Sequence, residues 1–194
     1  QKAKHVNDDH IRTQEELENQ LSGLKTIYSV FQDLNIQMFL SAGTMLGATR
    51  EGNFIPWDWN TSVVCKAEEF NPKLDLFLQK MSENGFDNHL IKHGEYIRIN
   101  AYKYNCTFII ENLILIGEWR TRRKYKSPDK YLQNVDYRPI AGVLFPVPSP
   151  AEECCQWQYG SNWKTPLKVK HRNEVINSEH KITAKDNINT GVFQ

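Results

Sequence analysis

The segment SAGTMLGATREGNFIPWDWNTSVVC, residues 41–65, decides the fold. An apolar run at 37–42 predicts a buried strand, TMLGATR predicts a short helix, and residues 61–66 predict a second strand. Gly43 and Gly47 bracket the predicted turn from strand to helix. Backbone NH groups at such a turn can bind a phosphate, and glycine lets the ligand approach closely. The segment therefore predicts an α/β unit with a candidate phosphate-binding turn.

Periodic patterns on both sides of this segment predict the other elements. Thr13 and Glu16 form a capping box in front of a helical stripe of leucines, and Ser149 is placed to cap the last helix. The pattern predicts helices near 14–34, 72–84 and 150–159, two antiparallel strands within 95–116 joined near 103–105, and an exposed basic loop at 120–130.

These elements predict one mixed α/β (α+β) domain over residues 1–194. Its core is expected at about 14–168, with irregular tails and a small mixed sheet flanked by helices. The formal charge of +1 gives no support for general nucleic-acid binding. No apolar run approaches the roughly 18 residues that cross a bilayer. Gln1 is not a natural start, so we expect the natural chain to begin earlier.

Four cysteines and two glycosylation sequons bear on the cellular compartment. Neither a CxxC pair nor a ligand-like histidine spacing is present, so we expect no zinc site. The even cysteine count and the sequons at Asn60 and Asn105 favour the secretory lumen (Golgi) or the extracellular space; a reduced cytoplasmic protein is the alternative. In an oxidising compartment we expect a disulfide that joins Cys154 or Cys155 to Cys65 or Cys106, because adjacent cysteines rarely bond to each other.

Two longer strings resemble the LicD/fukutin family. SAGTMLGATREGNFIPWDWN resembles the family's small-residue turn, Leu-Gly-x-x-Arg, loop and Ile-Pro-Trp-Asp. LFPVPSPAEECCQWQYGSNWKTP, residues 144–166, is similar to its second signature, a capped helix followed by Tyr-Gly-x-x-Trp-x-x-Pro. The resemblance covers roughly residues 22–168. It implies a nucleotidyltransferase-type fold that moves phosphocholine or phosphoribitol from a CDP-linked donor to a glycan, with Mg²⁺ or Mn²⁺ as the metal.

The resemblance also locates the metal ligands of the family. It implies an Asp-x-Asp pair after Trp-Asp, which falls on Asn60 and Ser62, and a third Asp near Ile110. Asp58 is kept, and a slip of one residue would bring Glu111 to the third position on the other sheet face. Neutral oxygens bring no countercharge, so we expect no metal cofactor and little turnover. Engineered replacement is an alternative explanation for Asn60 and Ser62.

Other residues are candidates for the donor side of the site. The resemblance and the basic run suggest binding of phosphates or donor by Ser41, Gly43, Thr44, Arg50, Trp57, Arg122 and Arg123. Structural roles are the alternatives: Trp57 packed under its loop, Asp58 bonded to backbone NH groups, Arg50 in an ion pair and the basic run in solvent.

Three functions follow from these expectations. The first is an inactive family member that binds a glycan, a nucleotide or a protein partner. The second is an active transferase of CDP-linked donors that holds its metal with Asp58 and Glu111. The third is a structural or interaction protein without a ligand pocket.

Overall fold

The computed structural model describes residues 11–166, so the tails predicted to be irregular lie almost wholly outside the described residues. The helices are α1 Gln14–Asp33, α2 Ala42–Glu51, α3 Ala67–Phe70, α4 Leu74–Glu83 and α5 Ala151–Tyr159. The strands are β1 Met38–Leu40, β2 Asn60–Lys66, β3 Asp87–His93, β4 Tyr96–Lys103, β5 Cys106–Ile116, β6 Trp119–Arg122, β7 Tyr125–Pro128, β8 Val135–Ile140 and β9 Val143–Pro148. Short 3₁₀ turns span Asn71–Lys73 and Asp129–Leu132.

Seven strands form one mixed sheet. Its order is β1-β2-β5-β4-β3, and the distal end of the long strand β5 also pairs with β6, which pairs with β7. Strands β2 and β5 are parallel, and the other neighbours in the sheet are antiparallel. Strands β8 and β9 form a separate hairpin. This topology places the polar start of β2 beside β5, and this position organises the candidate site.

Both faces of the central strands are covered. The side chains of Val63 and Ile110 join the main core with apolar residues of α1 and α4, such as Phe31 and Phe77. The opposite face carries Val64 in a smaller cluster with Phe39, Leu113 and Leu132. Because side chains alternate along a strand, one face of β2 and β5 serves the main core and the other is left for a site near the start of β2.

The fold class predicted from the sequence is confirmed: the structure is mixed α/β, with a mixed sheet flanked by helices. The helix predicted at 14–34 is α1, and the hairpin predicted within 95–116 is β4–β5, which turns at Tyr104 and Asn105. The helix predicted at 72–84 is confirmed only from Leu74. Ser149 is not the cap of α5, because the helix begins one residue later, with Pro150 at the N-cap.

The prediction of an exposed basic loop at 120–130 is wrong. This run forms the β6–β7 hairpin, and Arg120 is only 3% exposed. The charge is tolerated inside because Arg120 donates to Glu68 through both terminal nitrogens (2.7 Å each) and to Asp129 through Nε (2.6 Å). The sequence pattern did not predict β8 and β9, because three prolines interrupt the alternation of apolar and polar residues in these strands.

The predicted disulfide is absent from this structure, which contains four free, buried thiols. Neither Cys154 nor Cys155, both on α5, is bonded to Cys65 or Cys106, the partners predicted for them. Cys154 lines a small cavity together with Val64, whose side chain faces the opposite side of β2 from that of Cys65. Burial raises the pKa of all four thiols, which favours the protonated, unreactive form. Within the described part of the chain, no helix is both long and apolar enough to span a membrane.

The start of α1 has the capping box that the sequence predicts. Thr13 Oγ1 accepts the Glu16 N–H at 3.2 Å, and the Glu16 carboxylate accepts the Thr13 N–H at 3.1 Å. Thr13→Ala is expected to lower the free energy of unfolding by about 1 kcal/mol, because an N–H of the first turn loses its acceptor. Urea unfolding measures this change, and Thr13→Ser, which keeps the hydroxyl, should stay close to the native value. Equal losses in both variants would contradict the capping role.

Candidate functional site

The site is built where the start of α2 meets the start of β2. The Ser41 N–H donates to the Ser62 carbonyl at 3.0 Å, and the Ser62 N–H donates to Thr44 Oγ1 at 2.9 Å. These bonds fix the predicted phosphate turn against the strand that carries Asn60 and Ser62. Thr44 is buried, so its hydroxyl belongs to the structure of the turn.

The space that Gly43 leaves open contains the carboxylate of Asp58. A Cβ added to Gly43 would lie 2.0 Å from Asp58 Oδ2, while Asp58 Oδ1 accepts the Asn60 N–H at 3.1 Å. Asp58 is 8% exposed. A negative charge beside the first turn of α2 is favourable, because the helix N-terminus is electropositive. In this structure, Gly43 therefore accommodates an internal anion at the candidate phosphate turn.

Register decides which predicted metal positions share a face. Ser62 pairs with Ile109 and Val64 pairs with Glu111 across the parallel strands, so the side chains of Ser62 and Glu111 lie on the same face. Ile110 is fully buried on the opposite face, in the main core. The structure thus brings Asn60, Ser62 and Glu111 to one face and leaves Ile110 apart from them.

Glu111 is almost buried and is held by two side chains. The Tyr96 hydroxyl donates to one of its carboxylate oxygens, and Arg122 Nη1 lies 3.4 Å from the other. Burial and then the charge of Glu111 raise the pKa of Tyr96 well above its usual value, so the phenol stays protonated and donates. Arg122 Nη1 also lies 3.4 Å from Ser41 Oγ. A guanidinium therefore bridges the carboxylate of β5 and the start of α2.

The β6–β7 hairpin positions the guanidinium of Arg122 at the site. Arg122 is the last residue of β6, and its side chain is 11% exposed. The neighbouring Arg123, in the turn of the hairpin, donates from Nε to the Tyr96 hydroxyl at 3.0 Å. Two of the predicted donor-binding arginines thus contact the site, although both do so through internal partners.

Arg50 and Trp57 have structural contacts. Arg50 donates to the carbonyl of Trp163 at 3.1 Å and pairs with Glu51 at 3.0 Å, and its side chain is 5% exposed. Trp57 is half-buried against the main core. The Trp163 carbonyl belongs to the second signature string, so Arg50 connects the two strings that carry the family resemblance.

The donor set fits a divalent cation poorly. Glu111 is the single carboxylate beside Asn60 and Ser62 on this face of β2 and β5, and a guanidinium lies 3.4 Å from it. No group of three or more histidine, cysteine or acidic side chains within residues 11–166 is arranged to hold a metal. Mg²⁺ in proteins is usually held by one or two carboxylates, with waters and phosphates completing its six oxygen ligands, and the carboxylate on this face already faces a guanidinium. No chemical step is therefore assigned to a metal here.

Tyr96 is a site residue that the sequence pattern did not reveal. A signal was nevertheless present, because the turn at Tyr104 and Asn105 sets the hairpin register and places Arg98 opposite Glu111. Tyr96 lies two residues further along the same face of β4. The β4–β5 register that follows from this turn places Tyr96 next to Glu111, the one acidic residue of β5.

A small cavity of about 40 Å³ lies on the same side of the sheet. It extends from the site residues Ser41 and Arg122 to the apolar side chains of Val64 and Leu113, and α5 contributes Cys154 and Gln158. This volume has room for a few water molecules and is far below that of an ordinary cofactor pocket.

The model of the LicD/FKTN/FKRP nucleotidyltransferase domain matches residues 35–150, which is more than half of the chain. The chain belongs to this family. The match includes the turn at α2, Asp58, the polar start of β2, Glu111 and the β6–β7 hairpin, so the candidate site lies inside the matched family domain. Among curated proteins, none matches the chain significantly.

Two solved structures of the antibiotic-resistance factor ANT(2'')-Ia are similar at 14% identity and TM-score 0.48, and each match covers 67% of this chain. This chain spans 65% of the solution structure and 69% of a crystal structure in complex with adenylyl-2''-tobramycin. The RNA terminal uridylyl transferase Cid1 matches at 12% identity and TM-score 0.38, over 53% of this chain and 32% of its own.

Proposed function

We propose that this LicD/FKTN/FKRP protein is catalytically inactive and serves a binding role, with a glycan, a nucleotide or a protein as partner. The observation that carries this proposal is the contact of Arg122 with Glu111 and Ser41. A fixed internal cation lies where a metal ion would have to meet the carboxylate of β5. The family reaction would then lack the ion that neutralises charge in its transition state.

Two further observations support the proposal. Asp58 fills the space above Gly43, so a donor phosphate would meet a carboxylate at the turn. Asn60 and Ser62 contribute no charge on the strand beside it. Electrostatic repulsion and missing countercharge therefore act together against a nucleoside diphosphate bound with its metal.

The active transferase remains a second candidate because Glu111 shares a face with Ser62. It would require Arg122 to leave Glu111 and Asp58 to turn away from the Asn60 N–H.

We also propose a secretory or extracellular location, with the cytoplasm as the alternative. Asn60 and Asn105 are both exposed, so the acceptor side chain of each sequon reaches solvent.

The decisive assay measures transfer from CDP-choline and CDP-ribitol to a glycan pool with Mg²⁺ or Mn²⁺. We expect no turnover by the native chain. The variant Asn60→Asp/Ser62→Asp/Arg122→Gln is expected to gain Mn²⁺ binding by calorimetry, because three carboxylates would then share one face without the competing guanidinium.

Arg122→Gln alone is the matched control and should bind no Mn²⁺, since it retains a single carboxylate on that face. Turnover by the native chain that requires metal and is abolished by EDTA would refute the proposed inactivity. Failure of the triple variant to bind Mn²⁺ while it remains folded would refute the electrostatic explanation.

A further inference from the structure

Strand β3 lies at one edge of the seven-stranded sheet and, among the strands of residues 11–166, pairs with β4 alone. Every residue from Asp87 to His93 has a partner on β4, so β3 contains no bulge. In a regular antiparallel strand, every second residue directs its N–H and C=O away from the paired neighbour. Five of the seven residues of β3 are exposed. The outer edge of β3 therefore has the backbone groups needed to pair with another strand.

The edge strands β1 and β7 are protected against such pairing in the ways that natural proteins use. Strand β1 has three residues, all of them buried. Strand β7 has four residues and ends at Pro128, which has no backbone N–H to donate. Strand β3 has seven residues and no proline, and its protection is limited to the charges of Asp87 and Lys92 and to its histidines. These protections are therefore weakest on β3.

Two leucines lie beside this edge, on the face of the sheet that carries the main core. Leu90 pairs with the buried Ile99 and is 44% exposed. Leu78 of α4 is half-buried and lies one turn before Ser82 on the same side of the helix. Ser82 Oγ accepts a hydrogen bond from the side chain of Asn88 at 3.2 Å, so this side of α4 faces β3. A leucine of the strand and a leucine of the helix thus form an apolar margin along the edge.

We propose that β3 pairs with β3 of a second copy of this chain, in an antiparallel register centred on Leu90. This register pairs all seven residues, and a shift in either direction loses pairs. It places Leu90 of the two copies opposite each other, with Cβ atoms about 5 Å apart. It also places Asp87 of each copy opposite His93 of the other. Lys92 then lies opposite Asn88, so no like charges meet, and the edge is self-complementary as a two-fold interface requires.

This pairing would join the two sheets into one. Side chains opposite each other on antiparallel strands lie on the same face, so the candidate sites of both copies would face the same way. Five strand intervals would separate the two β5 strands, which puts the two copies of Glu111 about 24 Å apart across the sheet. Because the interface is one strand pair with a narrow apolar margin, we expect a dissociation constant on the order of 10 µM. The inference does not depend on the proposed inactivity.

The test is sedimentation velocity of the folded chain at pH 7, over concentrations from about 2 to 200 µM. We expect a reversible equilibrium between monomer and dimer. Leu90→Lys should weaken the dimer at least 10-fold, because like charges would lie directly opposite each other. Leu76→Lys is the matched control, since Leu76 is 46% exposed and lies on the side of α4 where Lys73 donates to the Leu34 carbonyl of α1. This control should change the dissociation constant less than 2-fold.

An exchange of residues tests the register. His93→Asp alone would place carboxylates opposite each other and should weaken the dimer about 5-fold. Adding Asp87→His should restore the dissociation constant to within 2-fold of the native value. Asp87 and His93 of one chain lie six residues apart on the strand, about 20 Å, so they can meet only across two copies.

A chain that remains monomeric at 200 µM would overturn the inference. Leu90→Lys that weakens the dimer no more than Leu76→Lys would do the same, and so would a double variant that fails to restore association. If urea unfolding shows that Leu90→Lys does not fold, the exchange of Asp87 and His93 decides. The result is separate from the transfer assay, because association is measured without donor or metal and turnover would leave it unchanged.

Discussion

Gly47→Ala is expected to destabilise the native state by about 3 kcal/mol, although alanine normally favours a helix over glycine by about 1 kcal/mol. Gly47 lies inside α2, where the chain of residues 53–55 crosses directly over the helix. A Cβ at this position would lie 2.4 Å from the Asn53 carbonyl oxygen and 3.1 Å from the Ile55 nitrogen. Both are backbone atoms, so relief requires a shift of the loop that leads to Asp58.

Urea unfolding of the purified chain measures this effect. Ser29→Ala, at an exposed position inside α1, is the control and should stay within about 0.5 kcal/mol of the native value. A Gly47→Ala variant as stable as the native chain would show that the loop can move away from α2 at little cost. In that case, the close contact could not be what fixes the position of Asp58.

The helices and strands in and before residues 41–65 could be predicted because the sequence patterns that indicate them are local. Glycine spacing, apolar runs and the capping box depend on residues within a few positions of one another. Thus α1, α2 and β2 appear close to where the sequence places them. The family resemblance, drawn from two short strings, is confirmed by the family match over residues 35–150.

The candidate site was harder to predict because its contacts depend on register and on distant pairing. Whether Ile110 or Glu111 faces the site depends on one residue of register between β2 and β5, which no local pattern specifies. The partner of Arg120, Glu68, is 52 residues away in the sequence. A basic run without knowledge of such partners resembles a solvated loop, and this accounts for the wrong prediction at 120–130.

Arg120→Leu is expected to lower the free energy of unfolding by about 2 to 3 kcal/mol at pH 7. The change leaves Asp129, 20% exposed, and Glu68, 54% exposed, without their cation and removes the donor to the Leu113 carbonyl. Loss of one partner from a buried pair costs about 3 to 5 kcal/mol, and partial hydration of both carboxylates reduces that figure here. Arg138→Leu is the matched control: this arginine also contacts both oxygens of a glutamate, Glu152, but at the surface, where about 0.5 kcal/mol is expected.

The acid dependence distinguishes the ion pairs of Arg120 from a general packing role. Hydrogen bonding to Arg120 lowers the pKa of Glu68. Burial alone would raise the pKa of Asp129, but its hydrogen bonds from Arg120 and Gln133 have the larger combined effect, so the pKa of Asp129 is also lowered. A lowered folded-state pKa contributes stability that is present above the unfolded value, about 4 for these groups, and lost as pH falls through the folded value. The difference in the free energy of unfolding between the native and Arg120→Leu chains should therefore be largest at pH 7 and shrink below about pH 4.

Urea unfolding at pH 7, 5, 4 and 3 measures this difference. A difference that stays constant over this range would assign the effect to lost packing of the arginine side chain, because packing does not titrate.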